Sequence, residues 1–237
     1  LTPDTTPFAA PRRAVVNFHG IGTPGRALEP GEARFWIGEA RFAELLDRIA
    51  ALPPAARPLI TFDDGNASDA AIAAPALAAR GLRATFFVLA GRLGRPGSLA
   101  AGDVAALAAA GHGIGLHGAD HVDWRALDAA GQAHEFDAAR AAIAAAAGRP
   151  VTEAAAPFGL YDRRVVAGLR ARGLVALYTS DKGRADLRGF VRARTCITAD
   201  MDAAAEAGAI AGHVPPARRL RRLAGIARKR LFPLGAG

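Results

Sequence analysis

Residues 59–89 read LITFDDGNASDAAIAAPALAARGLRATFFVL. Leu59 to Phe62 is a short apolar run of β-prone residues, Ala67 to Arg80 an Ala/Leu segment of helical period, and Ala84 to Leu89 a second β-branched and aromatic run. A strand, a helix and another strand in this order predict two parallel strands with the helix carrying the chain back between them. The same rhythm extends in both directions. Ala14 to Phe18, Gly113 to Leu116, Val151 to Ala156 and Val175 to Thr179 have strand character, and the helical segments Gly38 to Leu52, Leu99 to Ala110, Arg125 to Ala147 and Tyr161 to Arg172 alternate with them, each ending at or near Gly or Pro. Six or seven such units in one α/β domain favour a closed barrel of about seven parallel strands over an open sheet.

The chain has 237 residues, 51% of them hydrophobic, enough to bury the core of one domain. No apolar run approaches the roughly 20 residues of a membrane-spanning helix. A single cysteine, Cys196, excludes an internal disulfide and a cysteine-based zinc knot, so a metal would have to be held by His and carboxylates. Of the net charge of +8, residues after Ala217 supply seven Lys or Arg and no acid, leaving 23 basic against 22 acidic residues in the rest. A nearly neutral body with a basic tail argues against a nucleic-acid-binding face. We therefore expect an extended arm over 1–12, a barrel domain over 13–214 and a basic amphipathic segment over 215–237, with Leu220, Leu223, Ala227 and Leu231 on one helical face. Because the sequence starts at Leu1 rather than Met, a leader, an anchor or another domain is expected to have preceded it.

In a parallel barrel, chemistry gathers where strands end. Asp63 and Asp64 follow the strand ending at Phe62, and a turn at Gly65 would let both reach one pocket, one acid binding a metal while its neighbour acts as base. Capping of the next helix is the alternative role, one that Ser68 or Asp69 could fill equally well. His117 and His121 directly follow the strand Gly113 to Leu116. Their spacing puts both imidazoles on one side of a helical turn, within reach of one metal. Two His, one Asp and water make a catalytic zinc shell with open positions.

With these residues in place, the chain resembles the polysaccharide deacetylase family, the NodB homology domain of carbohydrate esterase family 4. The likeness runs from about Val15 to Thr195 and includes Ala84 to Val88, Gly111 to Gly115 and Pro157-Phe158-Gly159. It implies a distorted (β/α) barrel in which Asp64, His117 and His121 hold one divalent metal, Zn2+ first and Co2+, Ni2+ or Mn2+ as alternatives, while Asp63 activates water as the base. It also implies that Pro157 and Phe158 form a wall of the groove, with the Phe158 backbone N–H helping to hold the oxyanion. The implied reaction is removal of N-acetyl groups from amino sugars.

The sequence departs from the family in several places. Many members carry an Arg two residues before that Pro to pair with the catalytic Asp, and here it is Ala155. Without a replacement cation the Asp63 carboxyl would sit higher than in those members. The family's fourth motif is replaced by Tyr178 to Arg184, and its late Leu/His motif, which carries the usual general acid, has no convincing match; His213, the sole late histidine, reads as a loop residue. His19, at the end of the first strand, is the candidate to replace that acid, the alternative being a turn residue bonded locally. Asp181 closes a strand and could face the pocket or cap a turn. Trp124, close after His121, could present its face to a sugar ring or pack in the core.

The expected function is hydrolysis of N-acetyl groups on a bacterial surface polysaccharide or exopolysaccharide, periplasmic, extracellular or membrane-associated in preference to cytoplasmic. The expected partners are that glycan and, through the tail, anionic membrane, with no nucleic acid. Alternatives are an amide hydrolase on the same scaffold acting on a cyclic imide, a ureide or a formylated sugar lipid, and a catalytically weak glycan-binding module.

Overall fold

The computed structural model describes residues 12–214 and 216–231. The predicted arm therefore lies outside the described residues except for Arg12, which opens the first strand. Strands β1 (Arg12–Phe18), β2 (Leu59–Phe62), β3 (Ala84–Val88), β4 (Gly113–Leu116), β5 (Glu153–Ala155) and β6 (Ala176–Thr179) pair side by side in sequence order, all parallel. Three short strands follow: β7 (Arg184–Asp186), antiparallel on the outer part of β1, then β8 (Val191–Ala193) and β9 (Thr195–Cys196). The last two nearly close the barrel. β8 pairs with β6 through Leu177↔Val191, and β9 pairs with β1 through Asn17↔Cys196, so one extended segment crosses from the last strand to the first and breaks only at Arg194. The parallel strands number eight rather than about seven, because this closing segment is split in two.

Register separates two layers of residues. Phe18, Phe62 and Phe86 are neighbours across β1, β2 and β3, with ring centroids 5.4 Å and 4.7 Å apart, and Ile114 continues the row on β4. This row faces the helices. Helix α1 (Glu39–Ala50) meets it with Phe42, Leu45, Leu46 and Ile49, the 3-4-7 spacing that makes one apolar stripe. Residues one step along each strand, Asn17 and Thr61 among them, point the other way, into the barrel, as strand alternation demands.

The remaining helices are α2 (Ala74–Ala78), preceded by a widened π-type turn (Asp69–Ala73), α3 (Ala101–Ala109), a run from α4 (Ala129–Gln132) through a second π-type turn (Ala133–Ala138) to α5 (Ala139–Ala147), α6 (Arg163–Ala171), α7 (Ala203–Ala211) and α8 (Pro216–Leu231). The helix expected from Arg125 begins at Ala129 because the Asp128 carboxylate caps it through the Gly131 N–H. Asp162 starts α6 in the same way, accepting from Arg164 and Val165 N–H. Among the described residues no helix is long and apolar enough to cross a membrane.

Candidate active site

Asp63 continues the inward face of β2 beyond Thr61. Its N–H donates to the Phe18 carbonyl, and its carboxylate sits inside the barrel, 5% exposed. Two guanidinium N–H groups of Arg194 donate to its two oxygens at 2.7 and 2.8 Å, and Asn17 Nδ2 adds a bond at 3.0 Å. Arg194 comes from the break between β8 and β9, lies over Phe87 and Tyr178, and is 1% exposed on its side chain. The cation expected two residues before Pro157 thus arrives from the closing segment after β8, two strands along the sheet from β5. Ala155 instead packs with Phe87 and Tyr178, the rings that carry the guanidinium. Burial pushes the Asp63 carboxyl up, but the charges of Arg194, His117 and His19 outweigh it and hold the group below its ordinary value.

Asp64 has φ of 77° and Gly65 follows at 67°. The turn therefore begins at Asp64 itself, one residue earlier than the sequence suggested, and swings its carboxylate into the same pocket as Asp63. His117 follows β4, its N–H bonded to the Val88 carbonyl. The Nδ1 of His117 is 2.8 Å from the Ala155 carbonyl oxygen, and that of His121 is 3.0 Å from Glu29 Oε2. With both δ nitrogens engaged, both Nε2 atoms are left to face Asp64 Oδ1, at 3.4 and 3.7 Å. That oxygen is buried and has no hydrogen-bond partner.

Bonds of about 2.1 Å in a tetrahedral shell put neighbouring donor atoms about 3.4 Å apart, so these three residues could hold a metal ion between them. The donor set, one carboxylate and two imidazoles, suits Zn2+ and its first-row neighbours. Burial alone would raise the Asp64 carboxyl, but the surrounding imidazoles of His117, His19 and His121 hold it far below the carboxylate range. His117 is raised, because Asp63 and Asp64 outweigh the effect of burial.

The loop between the two histidines is not the expected helical turn. Gly118 (φ 94°) and His121 (φ 55°) are both left-handed, and the chain winds round the buried Glu135 carboxylate, which accepts from Ala119 N–H, Asp120 N–H and Trp124 Nε1. A Cβ at Gly118 would lie 2.2 Å from Glu135 Oε2, so only glycine fits. Trp124 is consequently a support of this loop. At 2% exposure, edge-on to Phe136, it offers no face to a sugar. Asp120, His134 and Glu135 also lie close together, but the Glu135 oxygens are taken by these bonds and the other two residues sit at the surface.

Phe158 stands at the pocket rim, 56% exposed, with its ring centroid 4.3 Å from that of His121 and its backbone at φ of 56°. Pro157 is buried behind it. His19 also reaches the pocket: Nε2 is 3.9 Å from Asp63 Oδ2, the ring packs on Phe35, and Nδ1 is buried without a partner. Burial draws its pKa down, against the pull of Asp64 and Asp63. Asp181 faces elsewhere. Its carboxylate accepts from Tyr161 and Thr179 hydroxyls and pairs with Lys229 of α8 at 2.8 Å, so the expectation that it lines the pocket is corrected. Two contributors carried no local signal in the sequence, Arg194 and the β1–α1 strap around Glu29. Together the pocket residues, Cys196 and Ser180 among them, enclose about 370 Å3.

Residues 53–177, more than half of the chain, match the sequence profile of the polysaccharide deacetylase family. No match to a curated protein sequence was found. Among solved structures, the fold is similar to that of the Streptococcus pyogenes deacetylase PplD in complex with acetate, with TM-score 0.71 at 17% identity over 84% of this chain and 98% of that one. IcaB from Ammonifex degensii is similar with TM-score 0.65 at 21% identity, over 85% and 97%. A de-N-acetylase from Aggregatibacter actinomycetemcomitans gives 0.68 at 14%, over 84% and 99%. At such identities the structures speak for the fold, while the profile match, which spans Asp63, Asp64, His117, His121 and Phe158, speaks for descent: the chain belongs to the polysaccharide deacetylase family.

Proposed function

We propose that the protein is a metal-dependent N-deacetylase that removes acetyl groups from amino sugars of a bacterial poly- or oligosaccharide. One observation carries the reading: a buried Asp64 oxygen without a hydrogen-bond partner faces two imidazole Nε2 atoms, beside a second carboxylate, Asp63, that belongs to a different network. Asp64, His117 and His121 would hold the metal, Zn2+ by the chemistry of the set. Bound there, it supplies Lewis acidity, polarising an amide carbonyl and easing deprotonation of water.

The protein's own groups do the rest. Asp63 takes the proton from the attacking water, and Arg194 and Asn17 keep it ionised and aimed. The same pairing lowers its basicity, so the arrangement favours a correctly placed carboxylate over a strong one. The Phe158 N–H donates to the oxygen that gains charge, while its exposed ring offers an apolar face to the sugar. His19 is assigned to protonating the departing amine. It approaches along the Asp63 side of the pocket and so shares that carboxylate's surroundings instead of opposing it.

The test is acetate release from N-acetylglucosamine oligomers by Zn2+-loaded protein. Failure on every such oligomer, with turnover of a cyclic imide, would replace the reading by the other amide hydrolases of this scaffold. We further propose that α8 meets anionic lipid. Of its apolar face, Leu220 is 80% and Leu223 56% exposed and Ala227 is exposed, while Ile226 and Lys229 turn toward the barrel. Seven basic residues and no acid follow Ala217. The helix thus has an outward stripe suited to a membrane interface, which would place the enzyme beside exported glycan. Flotation with phosphatidylglycerol vesicles but not phosphatidylcholine vesicles is expected. Flotation undiminished by Leu220→Glu with Leu223→Glu would refute the assignment.

A further inference from the structure

Between β1 and α1 a strap of chain crosses the mouth of the pocket and brings Glu29 onto His121, 92 positions away in sequence. One Glu29 oxygen lies 3.0 Å from His121 Nδ1 and the other pairs with the Arg92 guanidinium, on the turn that follows β3. The strap is fastened a second time through Glu32. That carboxylate accepts the Glu29 backbone N–H at 2.8 Å and pairs with Arg26, whose guanidinium in turn reaches Asn66 Oδ1 at 2.9 Å, two residues past Asp64. Both ends of this network therefore terminate beside candidate metal ligands.

We infer that Glu29 is a positioning residue for His121. The inference rests on reading Asp64, His117 and His121 as a metal site. Its carboxylate accepts the Nδ1–H, which fixes the tautomer, leaves the Nε2 lone pair facing Asp64 and makes the imidazole a better donor. It also holds a ring whose backbone is left-handed, at φ of 55°, a conformation that a non-glycine residue keeps only when its surroundings impose it. The two histidines differ in this respect. His117 is oriented by a backbone carbonyl, which no substitution removes, whereas His121 depends on one side chain that is itself 42% exposed. The strap's closure and the affinity of the site for metal are thereby linked.

The experiment is Zn2+ titration of the metal-free full chain against a chromophoric chelator, with Glu29→Gln, Glu29→Ala, His121→Ala and the Glu29→Ala, His121→Ala double variant. Loss of such a supporting carboxylate weakens metal binding by about 10- to 100-fold, and that is the fall expected for Glu29→Ala, with a smaller one for Glu29→Gln, which keeps an acceptor oxygen. Glu29 is 42% exposed, so the melting temperature of the metal-free protein should fall by no more than about 4 °C. Because Glu29 acts through the imidazole, its removal should cost nothing further in the His121→Ala background, an outcome that a general structural role would not give. Zn2+ bound equally by wild type and Glu29→Ala, or the same loss in both backgrounds, would overturn this assignment alone. A wild type that binds no Zn2+ would overturn the metal-site reading and this one with it.

Discussion

Replacing Arg194 by Met leaves the Asp63 carboxylate charged and buried while keeping most of the volume that the guanidinium occupies over Phe87 and Tyr178. The pair is 1% and 5% exposed and joined by two short charge-assisted bonds, so solvent screens it little. Breaking such a pair from one side costs about 3–5 kcal/mol. For a chain of this size that is a fall of roughly 6–20 °C in melting temperature. Most of the loss is the unpaired charge, so adding Asp63→Asn should recover a large part of it, with a coupling of up to about 3 kcal/mol in the double-mutant cycle. The pH dependence has a definite sign. In the wild type the Asp63 carboxyl is depressed, so the stability it contributes is present above its unfolded pKa and is lost as pH falls through the folded one. In the variant burial acts without Arg194 and raises the carboxyl, so the native state takes up a proton as pH falls toward 4. The deficit of the variant is therefore largest near pH 7 and shrinks toward pH 4. Thermal and urea unfolding in the presence of a chelator, between pH 4 and 8, measure both effects. A loss below about 1 kcal/mol at pH 7, the value of an exposed pair, or a loss independent of pH would refute the argument.

Asp63→Asn should retain Zn2+ and the fold but lower turnover by about 10²- to 10⁴-fold, measured as acetate release at saturating metal. Asp69 is fully buried, neither carboxylate oxygen has a hydrogen-bond partner, and burial, then the charges of Asp64 and Asp63, raise its pKa well above the ordinary value. The folded state therefore holds its proton more tightly, and the protein loses stability as pH rises from the unfolded pKa toward the folded one. Asp69→Asn should remove that loss, gaining up to about 1.4 kcal/mol for each pH unit in that interval, and melting curves at pH 4 and pH 7 that show no gain at the higher pH would contradict it. His19→Ala should reduce amide hydrolysis more than hydrolysis of activated esters, whose leaving groups need no proton, with Zn2+ content unchanged; equal losses would remove His19 as the proton donor.

What the sequence made legible was local. Leu59–Phe62 and Gly113–Leu116 agree residue for residue with the structure, and the acids and histidines that follow them meet in one pocket because parallel strands end on one side. The rest depends on distance along the chain. Arg194 lies 131 positions from Asp63, on a closing segment whose two strands have three and two residues, too short to show a period. Glu29 sits in a stretch with no regular structure and finds its partner only when the strap crosses the barrel mouth. Trp124 shows the converse. Its place three residues after His121 points to the groove, but the turn round Glu135 carries it into the core. Asp181 likewise ends a strand, yet Lys229 and Tyr161 draw its side chain toward α8. α7 escaped notice because an alanine-rich segment has little apolar contrast between its faces.

Backbone strain locates the site by a route independent of any motif. Among the described residues, four that are not glycine have positive φ: Asp64, His121, Phe158 and Lys182. The first three line the single cavity that holds Asp63. Each such residue costs about 1–3 kcal/mol, a sum comparable with the whole stability of an ordinary domain, so something at this place must hold them there. Glu29 and Glu135 do so for the loop that carries His121, and Gly65, left-handed itself, extends the turn that carries Asp64. The strain at Asp64 also resolves how neighbouring acids can share one pocket. Strand alternation would send Asp64 to the side opposite Asp63, toward the helices. A left-handed residue at that point turns the chain, so Asp63 stays with Arg194 inside the barrel while Asp64 swings up to the two imidazoles. Two carboxylates on adjacent residues thus enter different networks, one paired with a guanidinium and one left with an unpartnered oxygen facing two imidazoles.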